Sequence, residues 1–367
     1  MKITKIEAIP YTIPYHYPVI AASGTLDSAE HVLVRIYTDE GPVGVSEAVV
    51  RSFVYGESQA SIIAAIRLWF EPALVGADPF AVEENNARVS WIVANNTAHG
   101  AIDIALHDIR GKVTSQPSWR LLGGDGKAMR VTSILTMGDP DEAGEQASKI
   151  ASLSGITSFK IKVGGNPRED VARVAAVRKA VGEDAYIYVD ANHGWSAETA
   201  IRALTAIADH GVDLVEEPSP AGDTIGRQRL AQQVPITVMA DESAPTLADA
   251  ARELWTGSAR ALSIKVTRTG FTESAKLIAL AEGLGARTLI GSQADGMVGA
   301  AAGLAFGSAF PRVAGEPGEL DFYTILSDQL VVDYLEVKDG RLTPSSKPGI
   351  GVEIDEDKLH HYRIDRR

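Results

Sequence analysis

Phe159-Lys160-Ile161-Lys162-Val163 is the stretch on which the fold turns. Five residues of alternating character read as a strand, because successive side chains of an extended chain point to opposite faces. Phe159, Ile161 and Val163 take one face, and Lys160 and Lys162 take the other. Two ammonium groups on the inner face of a sheet are costly to desolvate unless carboxylates or water meet them. The same texture recurs downstream. Strands are predicted at 131–137, 159–163, 185–192, 212–217, 236–241, 261–268 and 287–291, with an eighth inside 312–318. Between them, apolar residues fall at helical spacing, as in Val171, Val174, Val177 and Val181. Strands alternating with helices form parallel βα units, and seven or eight units in succession predict a closed TIM-like (β/α) barrel of the α/β class.

Catalytic groups of such barrels sit at the C-terminal ends of the strands. Reading those ends gives Lys160 and Lys162, then Asp190, Glu216, Asp241 and Lys265. From Lys162 onward the spacings are 28, 26, 25 and 24 residues, one βα unit each. Any one of these residues alone reads as part of a polar loop. Five successive strands ending in ionic groups predict one shared mouth. Three carboxylates on adjacent strands, with no cysteine anywhere in the chain, make an oxygen-donor site that favours Mg²⁺ or Mn²⁺ over zinc. Lysines on either side of such a metal point to acid–base work on a carboxylate substrate. A lysine used near neutral pH must come down from its ordinary range, at a cost of roughly 4 kcal/mol. Lys160, at about 7 Å, would repel Lys162 by ~2.4 kcal/mol in a medium of dielectric 20, about half of what is needed. The metal and burial are expected to supply the rest.

Ahead of the barrel the chain reads differently. Strand-like runs at 3–13, 31–38 and 43–47, the last two joined by Asp39-Glu40-Gly41-Pro42, predict an antiparallel meander. Helices follow at 58–74, 81–95 and 98–112, and Leu121-Leu122-Gly123-Gly124 reads as a turn. The predicted division is an α+β domain over residues 1–125, the barrel over 126–318, and a tail, 319–367. The tail is too long for a last helix alone, so part of it is expected to return to the first domain. The 367 residues carry 35 Lys and Arg against 48 Asp and Glu, a formal charge of −13. No basic cluster offsets this charge, so nucleic acid and anionic lipid are excluded as partners. No apolar run is long enough to span a membrane, and the opening residues lack a signal-peptide core, so a cytoplasmic enzyme is expected. Neither a Gly-x-Ser-x-Gly elbow nor a phosphate-binding glycine loop is present.

Phe159-Lys160-Ile161-Lys162, Asp190-Ala191-Asn192, Glu216-Glu217-Pro218, Asp241-Glu242-Ser243 and Lys265-Val266-Thr267-Arg268-Thr269-Gly270 together resemble the enolase superfamily, and within it the muconate lactonizing subgroup, over nearly the whole chain. The resemblance implies that Asp190, Glu216 and Asp241 bind Mg²⁺ (or Mn²⁺). It implies that Lys162 and Lys265 face opposite sides of the substrate, with Lys160 tuning Lys162. It also implies a capping domain made of the N-terminal segment and the C-terminal tail, and a homo-oligomer. Val50-Arg51-Ser52-Phe53-Val54-Tyr55-Gly56-Glu57-Ser58 resembles the specificity loop of muconate cycloisomerases, which puts Val50 and Tyr55 on the substrate, with Asn192 and Glu319 from the barrel. Interdomain packing is an equal reading for Tyr55. Arg51 is read as a surface arginine, the alternative being a partner for a substrate's distal carboxylate.

The histidine of the mandelate racemase branch is missing from Leu289-Ile290-Gly291-Ser292-Gln293-Ala294-Asp295-Gly296. In Glu319-Leu320-Asp321 a glutamate replaces the first Asp of the dipeptide epimerase pair. The expected activity is lactonization of cis,cis-muconate to muconolactone. Racemization or epimerization of N-acylamino acids, or o-succinylbenzoate synthesis, is the alternative on the same scaffold.

Overall fold

The computed structural model describes residues 1–365. An antiparallel meander opens the chain: β1 (Ile3–Ala21), β2 (Gly24–Thr38) and β3 (Val43–Ala48), paired in that order. β1 and β2 are longer than their sequences imply, running together from Ile3↔Thr38 to Ala21↔Gly24 with a slip between Pro14 and Val19. Pro10, Pro14 and Pro18 lack donors, but β1 lies at the sheet edge, where a missing N–H costs no ladder bond. Residues 82–89 and 96–114 form helices, whereas 90–95, expected to be helical, are largely turns.

The helix Asn96–Thr114 is buried along most of its length between the meander and the barrel. Gly44 lets β3 lie directly on it, since a Cβ there would stand 2.2 Å from the Ala105 carbonyl oxygen. Asp103 on this helix accepts hydrogen bonds from Phe271 N, Thr272 N and Thr272 Oγ1, and Asp108 accepts from Val45 N and Ile350 N. One helix therefore joins the meander, the barrel and the tail.

After a short β4 (Met129–Arg130), which pairs with β12 (Arg341–Leu342), seven parallel strands follow. They are β5 (Thr132–Leu135), β6 (Ser158–Lys162), β7 (Tyr186–Asp190), β8 (Leu214–Glu216), β9 (Thr237–Ala240), β10 (Ala261–Ile264) and β11 (Arg287–Ile290), hydrogen-bonded in chain order. The eighth strand expected inside 312–318 is not there: Pro311–Gly315 is a helix with proline in its first turn. The gap is instead bridged by Gly318 and Glu319. Gly318 N donates to Arg130 O, Thr132 N to Gly318 O, and Glu319 N to Ile290 O. This short extended segment meets both edge strands, β5 and β11, and leaves the curled sheet without a free rim.

The strand expected over 261–268 also ends early, at Ile264, and a helix begins at Val266. Gly270 kinks that helix with φ of 69°, and a Cβ there would collide with Asp103. The tail runs back to β1, where Ser327 N bonds Pro14 O and Ile364 N bonds Pro10 O. No helix among the described residues is long and apolar enough to cross a membrane.

Candidate active site

Register places the ionic groups. Lys162 pairs with Asp190, and Asp190 with Glu216, so three neighbouring strands deliver charge at one height, with Lys160 opposite Tyr188 one pleat below. Phe159, Ile161 and Val163 are fully buried on the outer face, as the alternation requires. Lys160 and Lys162 point inward and retain only 1% and 8% of their exposure. Lys160 Nζ lies 2.9 Å from Asp190 Oδ2, 2.8 Å from Glu216 Oε2 and 2.9 Å from Glu319 Oε1. Lys162 Nζ donates to Asp190 Oδ2 at 2.6 Å and Asn192 Oδ1 at 2.8 Å. Lys265 Nζ donates to Asp241 Oδ2, and Arg268 Nη1 reaches Asp241 Oδ1 at 2.7 Å. The ionic residues named from the strand ends form two buried clusters, Lys160, Lys162, Asp190 and Glu216 with Glu319, and Asp241 and Lys265 with Arg268, and the lysines of both line one cavity.

Their electrostatics follow from burial set against neighbours. Burial pushes Asp190 up, but Lys160 and Lys162 outweigh it and hold the carboxyl well below the usual range. Asp241 behaves alike under Lys265 and Arg268. Glu216 goes the other way, raised by burial and by Asp190, Glu319 and Asp241 against the pull of Lys160. Burial also pushes down all three lysines. Asp190, Glu216 and Glu319 reverse this for Lys160, and Asp241 reverses it for Lys265, leaving both raised. Lys162 alone is lowered, by burial first, with Lys160 contributing less than the opposing Asp190. Burial therefore outranks the lysine–lysine repulsion that the sequence makes prominent.

The donor set suits a hard divalent cation. Asp190, Glu216 and Asp241 offer oxygens only, and Glu216 Oε1 is buried with no hydrogen-bond partner, a cost that a cation would remove. A second cluster, His193, Glu217 and Glu242, brings ligand atoms within 4.8 Å of one another. It is the poorer seat, because Glu217 is already committed. Its Oε1 accepts from Asp241 N, Ser243 N and Ser243 Oγ, and its Oε2 from Arg227.

The cap closes the mouth with the β1–β2 hairpin tip and the loop following β3, leaving a cavity of about 30 Å³. Tyr55, Asn192 and Glu319 line it, but Val50 does not: it sits in the apolar core of the meander lobe with Val32 and Ile62. Tyr55 is fixed by Arg268, whose Nη1 donates to its hydroxyl at 2.9 Å. Sequence reading missed the bridging role of Arg268, although it stands one helical turn beyond Lys265. It also missed Gln293, whose Oε1 is buried in the same cavity without a partner, and it discounted Arg51, which lines the cavity too. A larger cavity, about 310 Å³, lies behind Ile134 and Phe322 but carries Asp321 as its one ionic group among the described residues.

Fold and site define an enzyme built on a capped parallel barrel. Residues 3–123 match the family model of the mandelate racemase / muconate lactonizing enzyme N-terminal domain, and residues 142–358 match that of the enolase C-terminal domain-like family. A muconate lactonizing enzyme from Mucobacterium Smegmatis, solved in complex with muconolactone, superposes with a TM-score of 0.98 at 44% identity, both chains covered in full. Chloromuconate cycloisomerase CbnB of Cupriavidus necator is 32% identical over 98% of this chain and 99% of its own. The N-succinyl-L-Arg/Lys racemase of Bacillus cereus is 31% identical over 99% of this chain and 98% of its own. The chain belongs to the enolase superfamily, in its muconate lactonizing enzyme subgroup, and is an isomerase. Enzymes of this superfamily use Mg²⁺.

Proposed function

We propose that the chain is a muconate cycloisomerase that converts cis,cis-muconate to muconolactone. The observation that carries this reading is the opposition of Lys162, from β6, and Lys265, from the end of β10, across the acids Asp190, Glu216 and Asp241. Similarity over the whole chain to an enzyme holding muconolactone supports the choice of acid.

Asp190, Glu216 and Asp241 would hold the Mg²⁺, which when bound supplies Lewis-acid stabilisation of a carboxylate that becomes an enolate. The protein's own groups do the rest. One carboxylate of muconate forms a C–O bond to C4, the C4–C5 π pair moves toward C5 and the far carboxylate, and a lysine N–H proton passes to C5. Lys162 or Lys265 delivers that proton from its own side of the ring, and the other acts through its charge. Lys160 positions Asp190, Glu216 and Glu319 from below, while Tyr55, Asn192 and Glu319 shape the cavity. The segment 1–125 together with part of the tail that follows the barrel serves as the cap that excludes water from the barrel.

Incubation with cis,cis-muconate and Mg²⁺ in deuterated water, followed by NMR, is expected to yield muconolactone with one deuterium on a single face of C5. Absence of turnover would overturn the reading. A second reading, racemization of N-acylamino acids, is favoured by Gln293. Its orphaned Oε1 is an acceptor that muconate cannot satisfy and an amide N–H can. Solvent deuterium entering the α-carbon of an N-succinylamino acid from both faces would establish that reading instead.

A further inference from the structure

We infer that Arg51 is the seat of a second substrate carboxylate, which makes dicarboxylates, rather than amino-terminal zwitterions, the substrate class of this enzyme. The inference deepens the proposed function and rests on its placing of a carboxylic acid between Lys162 and Lys265.

Arg51 begins the loop that leads to Tyr55 and lines the cavity from the cap, opposite the barrel lysines. Its Nη1 is buried and has no hydrogen-bond partner, and its guanidinium carbon lies 5.7 Å from the centre of the Phe53 ring. The fully buried arginines are each paired or bonded, although Arg268 Nε has no partner of its own. Arg173 is paired with Asp170, Arg227 with Glu217 and Glu253, and Arg268 with Asp241, while Arg178 donates to five backbone carbonyls.

No carboxylate in or beside the cavity pairs with Arg51 Nη1. Asp190 and Asp241 are held by the lysines and Arg268, and Glu319 by Lys160, Tyr188 and Ser292 N. Glu242 accepts from Asn192 through Oε1, while its Oε2, 3.8 Å from His193, is buried without a hydrogen-bond partner and does not bond Arg51.

A half-buried guanidinium with a free, desolvated N–H is an unmet donor of the kind that planar carboxylates fit in bidentate fashion. A substrate spanning from the barrel floor to the cap would bring that carboxylate with it. A zwitterion with an ammonium at the same end would meet like charge there. In lactonization Arg51 would hold the carboxylate that attacks. One oxygen forms the bond to C4, while the oxygen kept by the guanidinium becomes the lactone carbonyl. The negative charge at that end disappears in the product, so Arg51 binds substrate more strongly than lactone.

The test is calorimetric titration of the Mg²⁺-loaded full-length enzyme with adipate and with hexanoate, in the wild type, Arg51→Gln and Arg51→Lys. The wild type is expected to prefer adipate by about tenfold to a hundredfold. In Arg51→Gln the two affinities should fall within about threefold of each other, hexanoate being unaffected, with Arg51→Lys between. An unchanged ratio in Arg51→Gln, or no preference in the wild type, overturns the inference.

Should the variants fail to fold, phenylglyoxal modification of Arg51 in the wild type, mapped by mass spectrometry, supplies the answer. Protection by adipate but not by hexanoate supports the role, and equal protection refutes it. Muconate turnover assayed in parallel separates the two ideas. Turnover with an unchanged ratio removes Arg51 and spares the cycloisomerase. A lost ratio without turnover does the reverse.

Discussion

Lys160 carries an energetic obligation that no other residue of the site shares. Its ammonium is 1% exposed and lies within 2.9 Å of Asp190, Glu216 and Glu319, so removing it strands the buried Glu216 and takes one cation from Asp190, which keeps Lys162, and from Glu319, which keeps Tyr188 and Ser292 N. Lys160→Met is expected to lower the unfolding free energy by about 3–5 kcal/mol in the presence of a chelator. Saturating Mg²⁺ should restore part of the loss, because a cation on the same carboxylates stabilises only the folded state. Urea denaturation with and without Mg²⁺ checks both, and a variant indifferent to Mg²⁺ would place the metal elsewhere. Lys162→Ala and Lys265→Ala remove smaller charge networks and should fold, with kcat/KM for the true substrate reduced by about 10²–10⁴. These lysines and the three acids were legible because strand ends repeat at near-constant spacing, and each pleat has only two faces. Arg51 and Arg268 were not. A lone arginine in a loop looks the same whether its guanidinium meets water or a sealed cavity, and only the lining of that cavity separates the two.

Elements matter here through the helix Asn96–Thr114, whose Asp103 grips the backbone just beyond Lys265. Phe271 N and Thr272 N donate to its Oδ2 at 2.6 and 2.9 Å, and Thr272 Oγ1 donates to Oδ1 at 2.6 Å. Gly270, with a positive φ, lets the chain turn tightly enough to present those groups. Asp103→Ala should therefore cost about 2–4 kcal/mol of stability, from buried donors left unmet, measured as a lower urea midpoint at unchanged slope. Activity should fall as well, since the loosened segment carries Lys265 and Arg268. Much of the element order was readable, because β-branched runs and helical spacing alternate plainly after residue 130. Two places resisted for physical reasons. Val266-Thr267 is β-branched yet helical, tertiary contacts overriding propensity. The eighth barrel position is held by Gly318 and Glu319 alone, too few residues to show a period of two.

At the scale of the whole molecule, the seam between cap and barrel is polar and buried, and it holds His31. His31 is 2% exposed, with Nε2 3.1 Å from the Ala294 carbonyl oxygen across the seam. Around it stand the Glu47 carboxylate at 3.5 Å, Asp295, Arg51 and the backbone of Glu30, and the edge of the Tyr11 ring. Glu47 is itself occupied, accepting from Gly296 N and Gly299 N on the barrel side. Burial pushes the His31 imidazole down from 6.5 to about 4, with the Ala294 carbonyl, the Asp295 charge and the Glu30 backbone opposing only in part and Arg51 adding to the fall. Between those two values the unfolded chain binds the proton and the folded chain does not, so stability rises with pH across that window. Acidification from 6.5 to about 4 should therefore remove about 3 kcal/mol through this one group, and no more below it. Glu47, raised by burial, acts in the opposite sense, its contribution being lost as pH rises. The difference in unfolding free energy between the wild type and His31→Asn, measured by urea titration at successive pH values, isolates the histidine from it. That difference should slope in favour of the wild type as pH rises from 4 to 6.5 and then level off. A flat difference would mean that His31 keeps its proton in the folded state, paired with Glu47 across the closed seam.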